Sequence, residues 1–199
     1  MVVFQPKEGN DMTDLRSKRS VDSIKKAFID LTLSRGMDHV TVSEITKQAF
    51  INRQTFYLHY LDKFDLAHQV ASDFFVKTTK FYKDTSLTHH DRNEVLMIMC
   101  NYLTAHYREI IVLHEVQSAS DDLNQEIEER MMDFIQVVSR KHVSEFNHEV
   151  YMSLINATVD FMIKYSKIPS DKDIIKIVEM IREVQNADND GVKKYQNQY

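Results

Sequence analysis

Between Gly36 and Gly191 the chain holds no glycine, and between Pro6 and Pro169 it holds no proline. A sheet protein of this size needs turn residues about every ten positions, and glycine and proline supply most of them. No glycine-rich loop can form over that span. Walker and Rossmann phosphate sites each require several glycines, so both are excluded. An all-α chain, helical nearly throughout, is the expectation.

Hydrophobic periodicity points the same way. Val21, Ile24, Phe28 and Leu31 fall on one helical face, and Gly36 follows as a stop signal. Val42, Ile45 and Ala49 line a short helix around 43–48, with Thr41 as N-cap and Glu44 three positions on, the pattern of a capping box. Phe56 and Tyr60 lie four apart on another short helix, and Leu66, Val70 and Phe74 begin a longer one. "KDTSLTHHDRN", 83–93, reads as a polar break. Val95, Met99, Tyr102 and His106 mark the next helix, and Ile110 to Val116 a short one. Leu123, Ile127, Met131, Phe134 and Val138 face one way on a long helix, as do Met152, Ile155, Val159 and Met162 on another. "IPSD", 168–171, punctuates, with Ser170 or Asp171 as a cap. A last face of Ile174, Ile177, Val178, Ile181 and Val184 precedes a polar tail, 187–199.

Composition excludes further classes. Hydrophobic residues at 43% and charged residues at 28% are those of an ordinary soluble domain. The uncharged run from Val95 to Tyr107 is too short to span a bilayer, so no membrane partner is expected. The start, "MVVFQPKEGND", lacks a basic segment followed by an apolar one, and a cytoplasmic location is the default. Cys100 is the single cysteine, which rules out an internal disulfide or a CxxC site. "HHD", 89–91, stands in the polar break without a partner Cys or Glu at ligand spacing, so no metal and no cofactor is assigned. No HExxH and no Cys–His pair at a recognised spacing suggests an enzyme.

Charge is unevenly spread. The chain carries a net −5, yet residues 16–63 hold 9 Lys/Arg against 5 Asp/Glu. Nucleic-acid binding needs a local cationic face rather than a basic whole. Three short helical units occupy 21–60, the last two separated by "FIN", 50–52. That is a helix-turn-helix layout, in which the second helix enters the major groove. On a helix from about Arg53 to His59, Phe56 and Tyr60 share the side that packs against Ile45 and Ala49. The other side presents Arg53, Gln54 and Tyr57. Arg pairs with guanine and Gln with adenine, while the Tyr57 hydroxyl, His59 and Lys63 suit phosphates, which position the helix.

The stretch "TVSEITKQAFINRQTFYLHYLDKFDL", 41–66, with "AFIDLTLSRG", 27–36, before it, resembles the DNA-binding domain of the TetR family of bacterial transcriptional regulators. The resemblance covers about residues 17–70; the remainder matches only in being helical and of suitable length. It implies a helix-turn-helix domain over 16–65 and a helical ligand-sensing and dimerisation domain over 66–186, and it does not account for the extension at 1–15. It implies a homodimer on a palindromic double-stranded operator. Carried over residue by residue, Arg53, Gln54 and Thr55 face bases or the nearby backbone. Asn52, Tyr57, His59 and Lys63 contact phosphate, and Thr41 and Ser43 begin a helix that also touches it. Thr46 is polar where the family places a small apolar residue.

Each of these residues also has an ordinary structural role open to it. Arg53 is a solvated charge outside such a motif, Tyr57 is half core, and His59 suits a helix C-terminus. In the C-terminal half, Met99, Tyr102, His106, Tyr107 and Met131 are candidates to line an effector site, since Met and Tyr line adaptable apolar pockets. At helical spacing the same residues fill a core. The effector is a small molecule or a protein partner. The helix opening at Lys63 is expected to join the two halves and to carry the switch. Two alternatives are a transcriptional activator controlled by a protein partner and a helical interaction protein without DNA binding.

Overall fold

The computed structural model describes residues 11–89, 91–117, 119, 121–139, 145–165, 167–170, 172–173, 175–177, 179–180 and 183. Among them there is no strand, as the missing glycine and proline require. The chain divides into two compact units, Met1–Val70 and Ala71–Tyr199.

In the first unit, α1 (Asp11–Arg35) begins inside the stretch that the sequence set aside as an extension. It stops at Gly36, whose φ of 80° lies in the left-handed region that glycine enters without steric cost. The Gly36 N–H closes the helix by donating to the Thr32 carbonyl at 2.8 Å. A 3-10 turn, Met37–His39, leads to α2 (Val42–Gln48) and then α3 (Arg53–Tyr57). The expected face of α1 is buried at Ile24, Phe28 and Leu31, and α1 packs on the 3-10 turn and α2, where Met37 and Ile45 are buried as well. Each large apolar side chain so enclosed contributes about 1.5–3 kcal/mol. Thr46 is buried too, and its hydroxyl donates to the Ser43 carbonyl at 3.0 Å. Its polar atom is thereby satisfied, which is why a threonine fits where a small apolar residue was expected.

The fourth helix, α4 (Lys63–Thr88), starts at a sequence-encoded cap. Asp62 Oδ1 accepts from the N–H groups of Phe64 and Asp65 at 2.8 and 2.9 Å, and the Asp65 carboxylate accepts from Leu61 N–H at 2.8 Å. The helix continues unbroken past Val70 to Thr88, which corrects the polar break expected at 83–93. Thr85 is buried, and the hydroxyls of Ser86 and Thr88 donate back to the carbonyls of Lys83 and Thr85. Polar side chains that bond to their own helix do not end it. The chain resumes as α5 at Arg92.

The second unit contains α5 (Arg92–Ala105), α6 (Tyr107–Gln117), α7 (Asp121–Ser139) and α8 (Glu145–Tyr165). Its α6 packs against both α7 and α8. Val112, Leu113 and Val116 of α6, Leu123 and Ile127 of α7, and Val159 and Met162 of α8 are all buried. Ser170 is the cap that the sequence left open between two residues: its hydroxyl donates to Asp173 at 2.6 Å and accepts from the Asp173 N–H at 3.4 Å. The expected last face falls mostly on residues outside those described, as do residues 1–10 and the tail at 187–199. Among the described residues no helix is long and apolar enough to cross a membrane.

Candidate nucleic-acid interface and effector cavity

The second helix of the helix-turn-helix layout, α3, has only five residues, so its ends must be fixed from outside. At its start Asn52 Oδ1 accepts from the Thr55 N–H at 2.7 Å and the Thr55 hydroxyl at 3.0 Å. Inside, Phe56 is fully buried and meets Tyr60 at 5.6 Å between ring centroids. Tyr57 stands edge-on to Phe56 at 5.5 Å, with 56% of its surface exposed. Before it, α2 carries the full capping box: Thr41 and Glu44 bond reciprocally, and Arg35 Nη1 reaches Glu44 Oε1 at 2.8 Å. The Thr41 side chain, ahead of the Arg35 charge, holds the Glu44 carboxyl below the usual carboxylate range.

The turn between α2 and α3 is a Schellman closure. Phe50 N–H donates to Lys47 O at 3.3 Å, and Ile51 N–H to Thr46 O at 3.1 Å. Phe50 takes φ 55°, a left-handed conformation that glycine favours, with its ring 96% exposed.

The nine residues that sequence reasoning selected for DNA all lie in the first unit, and the structure divides them by how they are engaged. The side chains of Arg53 and Gln54 are exposed and make no hydrogen bond or ion pair among the described residues, so their side-chain donors and acceptors are available. The Tyr57 and Ser43 side chains are likewise exposed. Thr41, Asn52 and Thr55 are spent on helix caps, although Asn52 keeps its amide N–H groups. His59 is half-buried, its ring 6.3 Å from that of Tyr60. Lys63 has an internal task that periodicity did not reveal. Its ammonium donates to the carbonyls of Met37 at 3.0 Å and Asp38 at 3.3 Å, pinning the 3-10 turn to the start of α4. An ammonium has three donors, which leaves one for a phosphate.

The second unit encloses a cavity of about 240 Å³. Phe74, Phe75 and Thr78 of α4 form one wall, with Met99 and Cys100 of α5, Leu113 of α6, and Met131 and Phe134 of α7 around it. Of the five residues proposed from sequence, Met99 and Met131 line it. Tyr102, His106 and Tyr107 are not among its lining residues. Tyr102 instead stacks between Phe81 and His106, at 4.0 and 4.1 Å, and His106 Nδ1 lies 2.8 Å from the Tyr102 carbonyl. Aromatic character marked these residues but could not say which way Tyr102 faces on α5, nor that His106 and Tyr107 fall at the α5–α6 junction. Burial pushes the Cys100 thiol up to about 11. His90 of "HHD" lies outside the described residues, while His89 Nδ1 lies 2.9 Å from the Thr88 hydroxyl and 3.3 Å from the Thr85 carbonyl.

No family model matches the chain. It is 36% identical over 50 residues to an uncharacterized HTH-type transcriptional regulator of Bacillus subtilis, YxbF. That match takes in 25% of this chain and spans only 13% of the length of that relative. A solved structure from Syntrophomonas wolfei, assigned to the TetR family of transcriptional regulators, superposes with a TM-score of 0.70 at 15% identity, over 84% of this chain and 95% of that one. The fatty acid degradation regulator FadR of Bacillus halodurans superposes at 0.65 with 16% identity, over 83% and 94%. This is the TetR-family fold.

The superpositions extend well past the 17–70 stretch that carried the resemblance in sequence. Within the TetR fold, α2 and α3 are the helix-turn-helix pair, and α3 offers Arg53 and Gln54 from its first turn. At 15% identity over 84% of the chain the architecture persists while most side chains differ.

Proposed function

We propose that this chain is a TetR-type transcriptional regulator that binds a palindromic operator as a homodimer and represses from it. A molecule held in the cavity of the second unit changes that affinity. The observation that carries the proposal is the pairing of Arg53 and Gln54, exposed and uncommitted, on a recognition helix fastened by Phe56 and capped by Asn52. Arg53 and Gln54 read base edges; Tyr57, His59, Ser43 and the remaining donor of Lys63 position the helix on phosphates. Acting on DNA, the protein works in the cytoplasm and needs no catalysis.

The dimer is proposed through α8, which leaves Phe161, Ile163 and Tyr165 exposed at its C-terminal end. A two-fold interface pairs like patches. Sedimentation at micromolar concentration should give a dimer, and Ile163→Glu should weaken it; a monomeric wild type removes the proposal. Ile181, the other candidate for that face, lies outside the described residues.

Effector and operator binding are coupled and therefore reciprocal. Once the two are identified, the effector should bind more weakly with operator present, by the same factor that it weakens DNA binding. Equal affinities would leave α4 a linker and the cavity without a regulatory role. Electrophoretic shift with DNA upstream of the protein's own gene tests the DNA arm. A salt-sensitive, sequence-selective shift supports it, and a folded dimer that gives none rejects it. Repression is distinguished from activation by a reporter fused to the same DNA, whose output should rise when the gene is deleted.

A further inference from the structure

The cavity wall is chemically one-sided. Among the described residues that line it there is no Lys, Arg, Asp or Glu. Its polar groups are hydroxyls, side-chain amides, a thiol and the His114 imidazole, and several are already spent. The Thr104 hydroxyl donates to the Cys100 and Asn101 carbonyls at 2.9 Å each, and the Thr158 hydroxyl to the Leu154 carbonyl at 2.7 Å. His114 Nε2 lies 3.6 Å from Asp160 Oδ1, which is not a lining residue. Cys100 stays a neutral thiol at any physiological pH, because burial raises its pKa to about 11.

Thr78 differs from these in being both buried and unpaired. It lines the cavity and is 1% exposed, yet its hydroxyl oxygen has no hydrogen-bond partner among the described residues. A buried hydroxyl left unpaired is unfavourable, and a ligand group that pairs with it removes the deficit. A carboxylate or ammonium brought into the same space would shed its hydration and find no Lys, Arg, Asp or Glu among the described lining residues to pair with.

We propose that the cavity takes an uncharged, mainly apolar molecule carrying one hydroxyl or carbonyl oxygen, held by a hydrogen bond to Thr78 Oγ1. This rests on the cavity being the effector site, and it adds the charge class of the ligand and the residue that orients it. The apolar body lies among Phe74, Met99, Leu113, Met131 and Phe134. At about 240 Å³ the cavity is close to the lower end of ordinary ligand pockets, roughly 300–1,000 Å³, so a chain or ring system of modest size fits.

The experiment is calorimetric titration of the full chain at pH 7.5 with 1-octanol, octanoate and octylammonium, which share one apolar body and differ in charge. 1-Octanol should bind, and each ion should bind at least about tenfold more weakly, the cost of one unmet polar group. Thr78→Val keeps shape and volume and removes the unpaired oxygen, so the free protein should melt no lower than wild type. It should lose about tenfold in affinity for 1-octanol and change little for the ions. Octanoate binding as tightly as 1-octanol, unchanged 1-octanol binding by Thr78→Val, or no heat from any probe would each overturn the proposal. No DNA enters this assay, so its outcome is independent of operator binding. If 1-octanol binds as expected and operator affinity does not respond, the ligand class stands and the effector role of the cavity falls.

Discussion

Replacing Phe50 with glycine should stabilise the N-terminal unit. Phe50 is the C′ residue of the Schellman turn that separates α2 from α3, and its φ of 55° brings Cβ against the following carbonyl. A left-handed conformation costs a residue with a Cβ about 1–2 kcal/mol. The ring is 96% exposed, so removing it forfeits almost no burial. Glycine adds a larger entropy loss on folding, about 0.5–1 kcal/mol. The balance is about 0.5–1 kcal/mol in favour of Phe50→Gly. For a unit of this size that raises the midpoint of thermal unfolding by about 2–8 °C. Phe50→Ala is the necessary companion, since it deletes the ring but keeps Cβ, and it should melt close to wild type. Circular dichroism at 222 nm on the three proteins decides. If Phe50→Gly melts at or below Phe50→Ala, backbone strain is not stored at this turn. The Schellman hydrogen bonds would then have to hold some other backbone geometry.

Four further outcomes are expected. Arg53→Ala should cost about 1–3 kcal/mol of operator binding and relax specificity at one base pair per half-site, read from a panel of single-base operator variants. Lys63→Ala should weaken all DNA sequences alike and reduce the salt slope by about one charge per half-site. Because its ammonium holds the Met37 and Asp38 carbonyls, the same variant should also lower stability by about 1 kcal/mol, and a melt that matches wild type would show that those bonds contribute nothing. Thr41→Ala should remove the N-cap of α2 at a cost of about 1 kcal/mol in denaturant unfolding. Since the Glu44 pKa is lowered on folding, the stabilisation it brings is complete above the ordinary carboxylate range and is lost as pH falls through its depressed value; the deficit of Thr41→Ala should therefore shrink in acid. Cys100, its thiol pushed up to about 11, should react with a thiol-specific disulfide at pH 8 far more slowly than a free cysteine and become reactive only in denaturant.

Much of the N-terminal unit was legible because local rules and packing agree there. The Thr41–Glu44 box, the Gly36 stop and the Phe56–Tyr60 pair each state one conformation, and the structure adopts all three. Lys63 shows the limit. Its distance from Met37 in sequence hides a contact that only the folded chain brings about. The end of α4 was misplaced because Thr85, Ser86 and Thr88 read as loop residues until their hydroxyls are seen bonding to their own helix. In the second unit, composition alone cannot distinguish residues of a cavity wall from those of a packed core. Met99 and Met131 reach the wall while Tyr102 stacks away on Phe81, and a one-residue rotation of α5 would exchange such roles. Thr78 gave no signal at all, since an unpaired hydroxyl is a property of surroundings rather than of sequence.

Selection from a pool of random duplexes by the full-length wild-type protein, followed by titration of the enriched sequence, tests DNA reading by α3 most directly. The enriched DNA should be an inverted repeat whose half-site centres lie about one helical turn, 34–36 Å, apart. It should bind at least about a thousandfold more tightly than a scrambled duplex, and Arg53→Ala should erase much of that ratio. A folded protein that enriches no sequence, or whose preference is untouched by substitution at both Arg53 and Gln54, would contradict recognition through this helix.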